Sequence, residues 1–393
     1  MGEQPSSADM PLWAVVELDQ FSTPEHTQAS QWRRSLRSAS AWLVGKHSAQ
    51  QQVKDEHELR SLPEVRLAHL VPPVNWAPAA SALAQVLEGH LEGHLEGHDA
   101  PVTFFITPPH GGHAAVVSHW AEQQQIGCVP PPMLSELAVG STQWLEYCVN
   151  QRHWALPALE RHFLRHTQGI QGVREFLERA LSGRLGKGVI GCDSWTYAYL
   201  QQAVGIDGAP VFTLQSVEGE QLSRYFAGMT THAGEFLPVY STRTGKQILP
   251  TEEEEPSQSS SNSAHKELQR LAAHCRGHIG IAWHYWHERL REPSSGKSEE
   301  LWLADALADA ELPADTGDIT TLVLHALLIH GGLDDDSLGQ VLPFSHHEAL
   351  NARLALQRKG IVTSHEGRWQ VAPLSYASVR QLLAARNYLV DPL

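Results

Sequence analysis

The stretch that could do chemistry most directly is a glycine-containing loop between an apolar run and a helical pattern. Val102–Ile106 is β-branched and aromatic, and a helical pattern runs from His113 to Gln124. A loop in this position presents backbone N–H groups and the positive end of a helix dipole, so it favours phosphate. The candidate phosphate-binding residues are Pro109, His110, Gly111, Gly112, His113 and Ala114.

This loop lacks the two side chains that would make it reactive toward a nucleotide. Phosphoryl transfer needs a lysine for the outer phosphates and a Ser or Thr hydroxyl for magnesium, and His113 and Ala114 stand at those places. Histidine reaches less far than lysine and is only partly charged near neutral pH, and alanine has no ligand atom. The alternative is a tight turn, with glycines for positive φ, that binds nothing. No cofactor is assigned, and ATP or ADP is the candidate that the loop leaves open.

Three histidines recur four residues apart in the repeated tetrapeptide LEGH. On a helix this spacing places His90, His94 and His98 along one face, and imidazole is a ligand for Zn, Ni or Cu. The glycines of the repeat weaken such a helix by roughly 1 kcal/mol each. A structural or accidental origin of the repeat is the alternative to a metal site.

Two acidic residues that follow apolar runs are the remaining catalytic candidates. Glu160 comes shortly after HWAL, and Asp193 ends GVIGCD, where either carboxylate could hold a metal ion. Cys192 could be a nucleophile oriented by Asp193, but nothing in the sequence marks a partner histidine, and buried cysteines are common. The chain contains neither the G-x-S-x-G nor the H-E-x-x-H pattern.

The elements that must position these residues alternate between apolar runs and helical patterns. The predicted strands after Val102–Ile106 are Ile126–Val129, HWAL, Gly188–Trp195 and Ala209–Leu214. The predicted helices between them include Leu134–Cys148, LERHFLRH and VREFLERALSG. Such alternation predicts an α/β fold with a mainly parallel sheet and helices on both faces.

Four pieces of the chain, taken in order, resemble the divergent AAA+/STAND-type P-loop ATPases. The first two are FFITPPHGGHAA, at the place of the phosphate loop, and WALPALERHFLR, at the place of the strand that ends in two acids. The third is GVIGCDSWTYAYL, at the place of the strand with a polar sensor residue. The fourth is AAHCRGHIGIAWHYW, at the place of the lid helix. The resemblance covers about Trp76–Leu290. Cys192, Asp193 or Ser194 could correspond to the sensor residue.

The resemblance implies a domain organisation and a function. It implies a degenerate P-loop domain at 75–220 and a helical lid at 221–300 that contains a flexible acidic and Ser-rich linker at 250–264. The segment 1–74 is left without a predicted fold. Pro157 and Ala158 stand where the family has its two acids, so the resemblance implies a pseudo-ATPase with a regulatory or scaffolding role. The alternative is an active ATP-hydrolysing protein that recruits Glu160 or Asp193 and an arginine from another subunit.

Residues 315–393 have the pattern of a compact C-terminal module. Three helical patterns, an alternating segment with a turn at Glu366-Gly367, and a final helix resemble a winged helix. The candidate DNA contacts are Arg353, Arg358, Lys359 and Arg368. Basic and acidic residues are about equal in number from Ile319 to Leu393, so the basic surface typical of DNA binding is missing. Protein contact or intramolecular packing is the alternative to a DNA-binding regulator.

Composition narrows the classes of protein. The chain has 393 residues, is 42% hydrophobic and 19% charged, and carries a formal net charge of −15, which argues against non-specific nucleic-acid binding. Its four cysteines form no CxxC pair, no apolar run reaches membrane-span length, and the first ten residues lack a signal pattern. We expect a cytoplasmic protein without membrane insertion that acts on a protein partner, with nucleic acid as the second class of partner.

Overall fold

The computed structural model describes residues 11–24, 58–91, 100–149, 151–232, 237–249, 258–294, 300–304, 310, 312–313 and 317–393. The strands within these residues are β1 (Val15–Glu17), β2 (Leu59–Ser61), β3 (Val102–Thr107), β4 (His153–Leu156), β5 (Lys187–Asp193), β6 (Val211–Leu214), β7 (Val239–Ser241), β8 (Leu290–Pro293), β9 (Leu301–Leu303), β10 (Val362–His365) and β11 (Arg368–Val371).

The α-helices in the described parts of the chain range from four to seventeen residues. They are α1 (Glu64–Leu70), α2 (Ala77–Leu91), α3 (His113–Gln123), α4 (Leu134–Ala138), α5 (Glu146–Val149), α6 (Gln171–Leu181), α7 (Ser194–Ala203), α8 (Gly219–His232), α9 (Gln258–His274), α10 (Ile279–Arg289), α11 (Asp318–Ile329), α12 (Asp335–Val341), α13 (His346–Arg358) and α14 (Tyr376–Ala385). None of them is both long and apolar enough for a bilayer crossing.

The chain divides into two compact units. The first consists of Met1–Leu12, Ser22–Val74 and Ser216–Ala308. The second consists of Trp13–Phe21, Asn75–Gln215 and Asp309–Leu393, so it contains both the glycine-containing loop and the C-terminal module.

The second unit is built around a mostly parallel five-stranded sheet in the order β1-β6-β3-β5-β4. Strands β6, β3, β5 and β4 are parallel, and only the short edge strand β1 is antiparallel to its neighbour. The register aligns Thr107 at the end of β3 with Asp193 at the end of β5. The α/β class and the mainly parallel sheet predicted from the sequence are therefore confirmed.

Both faces of this sheet are covered by helices, which explains why β3 is apolar throughout. Phe104 and Ile106 point to the face that α6 and α7 cover, where they share one apolar core with Phe176 and Leu200. Phe105 points to the other face, where it packs with residues of α2 and α3. All six residues of β3 are buried, as expected for a central strand between two helical layers.

Several predicted elements differ from the observed ones for local reasons. The helix predicted over Leu134–Cys148 is broken into α4, a 3-10 turn and α5, because Gly140 adopts a positive φ of 66° beside the carbonyl of Gln168. LERHFLRH forms only the 3-10 turn Leu159–Arg161.

Two predicted strands are also shorter than the sequence suggested. The strand predicted over Gly188–Trp195 ends at Asp193, because the Asp193 side chain accepts a hydrogen bond from the backbone N–H of Trp195 and starts α7. Ile126–Val129 contributes a single parallel bridge between Cys128 and Ala155.

In its described residues, the first unit combines a small sheet with the four α-helices α1, α8, α9 and α10. Its strand order is β2-β8-β9-β7, and the Phe226 and Trp286 rings of α8 and α10 stack at 4.3 Å. Helix α9 begins at Gln258, so the part of the predicted linker from Gln258 to Ala264 is helical rather than irregular. Trp283 stacks on His287 within α10, with the ring centroids 4.8 Å apart.

The C-terminal module of the second unit consists of α11, α12, α13, the antiparallel pair β10–β11 and α14. Ser345 starts α13 with a capping box, because its hydroxyl accepts from the N–H of Glu348 while the Glu348 carboxylate accepts from the N–H of Ser345. Glu366 and Gly367 both have positive φ and connect the two strands in a tight turn.

Candidate functional site

The carboxyl ends of β3 and β5 form the natural place for a ligand in this fold. The loop after β3 leads to α3 on one face of the sheet, and the chain after β5 leads to α7 on the opposite face. Adjacent strands whose following helices diverge in this way leave a crevice at their carboxyl ends, which is where open α/β sheets bind ligands. Thr107, His113, Glu160 and Asp193 meet in this crevice.

The loop from Pro108 to Gly112 has a fixed backbone. Gly112 has a φ of 79°, and a Cβ added to it would lie 2.3 Å from the indole of Trp76, so only glycine fits. His110 has a φ of 64° although it is not glycine. Its Nε2–H donates to the carbonyl of Val371 at 2.9 Å, which ties the loop to β11. Burial lowers the pKa of His110 to about 4, so the imidazole in this bond is neutral.

Both ring nitrogens of His113 are hydrogen-bonded inside the protein. Nε2 lies 2.8 Å from Oε1 of Glu160, and Nδ1 lies 3.1 Å from the hydroxyl of Thr107. The backbone N–H of His113 also donates to that hydroxyl at 3.3 Å. The His113 side chain is therefore directed toward an internal carboxylate.

Glu160 is the acceptor at the centre of this network. It is 6% exposed, and its second oxygen, Oε2, accepts from the backbone N–H of Asp193 at 3.3 Å. Burial alone would raise the pKa of Glu160, but the facing His113 holds it below its usual value. Burial alone would lower the pKa of His113, but Glu160 and Asp193 raise it above its usual value. The pair is thus an internal ion pair, with His113 as the cation.

Asp193 plays a different part from Glu160. Its Oδ1 accepts from the N–H of Trp195 at 2.9 Å and so begins α7. Burial, together with the nearby carboxylate of Glu160, raises the pKa of Asp193 well above its usual value. A carboxyl group held toward its neutral form is a poor ligand for a hard divalent cation, which favours charged oxygen donors.

The C-terminal module covers this crevice. The hydroxyl of Thr196 donates to the carbonyl of Ile329, and the hydroxyl of Ser194 donates to Oδ2 of Asp391 at 2.8 Å. Gly331 approaches Glu160 so closely that an added Cβ would lie 2.9 Å from its Cγ. No residue from Thr107 to Val117 is exposed. The residues of the crevice therefore do not fit magnesium and ATP, because the cationic and acidic groups face each other and the module lies over them.

Cys192 has no catalytic setting. It is fully buried, its thiol donates to the backbone carbonyl of Asp193 at 3.3 Å, and burial raises its pKa well above the usual value. Ala114 is half-buried in the first turn of α3 and offers no oxygen. Pro157 and Ala158 likewise offer no side-chain ligand at the end of β4.

The predicted DNA contacts fall into two groups. Arg353 is buried, donates through two nitrogens to the carboxylate of Asp335 at 2.9 and 3.0 Å, and lies 4.1 Å above the Trp369 ring. The guanidinium of Arg368 donates to the carbonyls of His330 and Gly332. These two arginines serve the interior of the module rather than a phosphate backbone, which corrects the expectation for them.

Arg358 and Lys359, by contrast, are exposed at the end of α13. The prediction of a nucleic-acid contact therefore rests on these two residues alone.

The predicted metal ligands fall mostly outside the described residues. His90 lies in α2, and His94 and His98 lie beyond the part of the chain that the structure describes. Among the described residues, no group of three or more His, Cys, Asp or Glu side chains is placed to hold a metal ion.

Sequence reasoning missed the residues that close the crevice. Asp391 contacts Ser194 across 197 positions, and the ring of His330 accepts from the backbone N–H of Arg165 at 3.3 Å across 165 positions. In the sequence, Gly331-Gly332 indicates only the end of a helix, and no local pattern indicates a role for Asp391.

Comparison with known proteins adds a distant structural likeness. No protein-family model and no curated protein sequence matches this chain. The chain is similar to one in the structure of Drosophila ORC bound to DNA, with 12% sequence identity, a TM-score of 0.33, and coverage of 89% of this chain and 99% of that chain. The functional assignment therefore rests on the residues of this chain alone.

Proposed function

We propose that this chain is a regulatory or scaffolding protein built on a degenerate P-loop-type domain, and that it does not hydrolyse nucleotide. The observation that carries the proposal is the pairing of His113 with Glu160 at 2.8 Å. Transfer of a phosphoryl group depends on cations that neutralise the developing charge. Here the one cation at the expected place is neutralised by an internal carboxylate.

The magnesium side of the reaction is missing as well. Ala114 has no hydroxyl, Glu160 uses both of its oxygens in internal bonds, and Asp193 tends toward its neutral form. A site of this composition has neither the metal ligand nor the carboxylate that positions an attacking water. The strand–loop–helix frame and the crevice at the switch point support the P-loop-type assignment, and the loss of its reactive groups favours a protein-binding role.

A segment of the second unit offers surface suited to a protein partner. Four of the large apolar side chains that are exposed in the described residues lie within 133–149, namely Met133, Val139, Tyr147 and Val149. Contiguous exposed apolar patches are typical of interaction sites, and we propose that these four side chains contribute to one. This grouping supports the scaffolding interpretation.

The test is a phosphate-release assay on the purified full chain with ATP and magnesium. We expect no turnover above the rate without protein, and no saturable heat in a calorimetric titration with ATP or ADP. Glu160→Gln is the informative variant, and Glu122→Gln, at an exposed position of α3, is its matched control. Magnesium-dependent turnover that Glu160→Gln abolishes and Glu122→Gln retains would overturn the proposal.

We propose a winged helix as the architecture of the C-terminal module, and DNA binding as a second candidate function. The exposed Arg358 and Lys359 at the end of α13 favour it, whereas the buried Arg353 and the engaged Arg368 do not. Fluorescence anisotropy with duplex DNA over a range of salt concentrations tests it. The measured quantity is the slope of the logarithm of the binding constant against the logarithm of the salt concentration. If both residues contact phosphates, their replacement by alanine makes this slope smaller in magnitude by about 1.8. Weak binding that does not depend on salt, equal for the wild type and the double alanine variant, would exclude the DNA function.

A further inference from the structure

We infer that residues 317–393 form a cover that closes the crevice at the carboxyl ends of β3, β4 and β5 and opens from it as a folded unit. This inference goes beyond the proposed function, because it concerns how access to the crevice is controlled and not whether nucleotide is hydrolysed there. It rests on the distribution of contacts between the cover and the three loops that line the crevice.

Each of the three loops is contacted by the cover. After β3, His110 donates to the carbonyl of Val371 at 2.9 Å. After β4, Gly331 lies against Glu160, and the backbone N–H of Arg165 donates to Nε2 of His330 at 3.3 Å. Burial lowers the pKa of His330 to about 3, which agrees with a neutral ring that accepts this bond.

After β5, a polar cluster around Asp391 joins the cover to the start of α7. The hydroxyl of Ser194 donates to Asp391 Oδ2 at 2.8 Å, and the hydroxyl of Tyr376 donates to the same oxygen at 3.1 Å. Arg380 Nε donates to Oδ1 at 2.8 Å, and the indole N–H of Trp195 donates to the hydroxyl of Tyr376 at 3.0 Å. Asp391, Tyr376 and Arg380 all belong to the cover, so within this cluster the bonds that cross to the sheet part are those from Ser194 and Trp195. The bond from the Thr196 hydroxyl to the carbonyl of Ile329 crosses beside them.

The cover has its own apolar interior. The core that includes Phe104 and Phe176 takes only Ile329 and Leu393 from the cover. The other buried apolar residues of the cover pack outside that core; they include Leu324, Leu328, Leu356, Val371, Val379 and Leu383. The interface with the sheet part combines the hydrogen bonds above with the apolar contacts of Ile329 and Leu393 and with the Phe163 ring, which lies 4.7 Å from the His330 ring. Polar contacts between parts that each have packing of their own are typical of domain interfaces that open.

Closure has a direct consequence for any partner of the crevice. Thr107, His113 and Glu160 are buried while the cover is closed, so a ligand that uses these groups must first displace it. The cover therefore occupies the place where open α/β sheets bind a ligand.

The test compares two glycine-to-alanine variants by hydrogen exchange of the full chain. Gly331→Ala places a methyl group 2.9 Å from Glu160 Cγ at a φ of 56°, whereas Gly360→Ala has a φ of 68° with nothing within 4 Å of the added carbon. Comparing the two variants therefore separates the effect of a steric clash at the interface from the effect of backbone strain within the cover. The readout is exchange of peptides that include Arg165, whose N–H is bonded to the cover.

We expect Gly331→Ala to speed exchange in residues 160–166 by about tenfold or more, the effect of one overpacked methyl group. Peptides from β3 and β5 and from α13 should keep their wild-type rates, because sheet and cover stay folded, and Gly360→Ala should match wild type in 160–166. Equal acceleration in the sheet and the interface, or equal effects of the two variants, would overturn the inference.

A second variant keeps the test decisive if Gly331→Ala does not fold. Ser194→Ala removes one bond to Asp391 and introduces no steric clash. It should show the same pattern with a smaller factor, and unchanged exchange in 160–166 would count against the cover. Failure of the inference is distinguishable from failure of the proposed function, because ATP turnover is measured independently of exchange.

Discussion

The ion pair between His113 and Glu160 allows the sharpest quantitative prediction. Replacing His113 by alanine leaves a buried carboxylate without its cation. His113 and Glu160 are 8% and 6% exposed, so solvent screens the interaction little. Removing one partner of a buried ion pair costs about 3–5 kcal/mol, and the remaining bond from the N–H of Asp193 favours the lower end, about 3 kcal/mol.

This loss should be visible in thermal unfolding. For a unit in the size range of 150–250 residues, 1 kcal/mol corresponds to about 2–4 °C, so the transition of the second unit should fall by about 6–12 °C. Differential scanning calorimetry measures this shift. His119→Ala, on the exposed side of the same helix, is the matched control and should change stability by less than about 0.5 kcal/mol.

The effect of His113→Ala also has a defined pH dependence. Because the pKa of His113 is raised above 6.5, its contribution is complete below that pH and is lost as the pH rises through the native pKa. Because the pKa of Glu160 is lowered below 4.5, its contribution is complete above that pH and is lost as the pH falls through the native pKa. The difference between wild type and variant should therefore be greatest between pH 4.5 and 6.5 and shrink on either side. Equal midpoints for His113→Ala and His119→Ala at pH 5.5, or a difference that grows steadily into alkaline pH, would refute the ion pair.

Two further substitutions test the packing of the loop and of the C-terminal module. Gly112→Ala should destabilise the second unit by roughly 2–4 kcal/mol, because the added methyl group meets the Trp76 ring and the residue has a positive φ. Gly205→Ala is the control, because Gly205 has a φ of 83° with open space around the added carbon, and it should cost about 1 kcal/mol. Urea denaturation measures both losses. Arg353→Ala should destabilise the C-terminal module by about 2–3 kcal/mol, since it removes a cation–π contact and the ion pair of the buried Arg353 with the half-buried Asp335. The exposed Arg358→Ala should be nearly neutral, and equal effects of the two variants would contradict the buried role of Arg353.

The regular elements were predictable where a local pattern determines them. Val102–Ile106 is apolar and β-branched, and the observed strand ends only one residue later, at Thr107. The helix predicted from His113 begins at that residue. The LERHFLRH segment reads as helical but forms a single 3-10 turn, because its residues pack around the crevice instead of continuing along one axis. Tertiary contacts therefore overrode the local pattern at the site itself.

The candidate site was predictable in its loop and not in its partners. The sequence identified Gly111, Gly112 and His113, because glycines between a strand and a helix indicate such a loop. It did not show that His113 pairs with Glu160, because the two are 47 positions apart. The cytoplasmic location, the protein partner and the absence of nucleotide hydrolysis remain predictions.

The bond between His110 and Val371 has a consequence for how the protein is made. The two residues are 261 positions apart, so all of the chain between them must be synthesised before the loop gains this contact. During synthesis the strands β3 to β6 emerge before residues 317–393, so the crevice is present before its cover. A binding partner that acts on the nascent chain therefore meets a surface that the finished protein conceals.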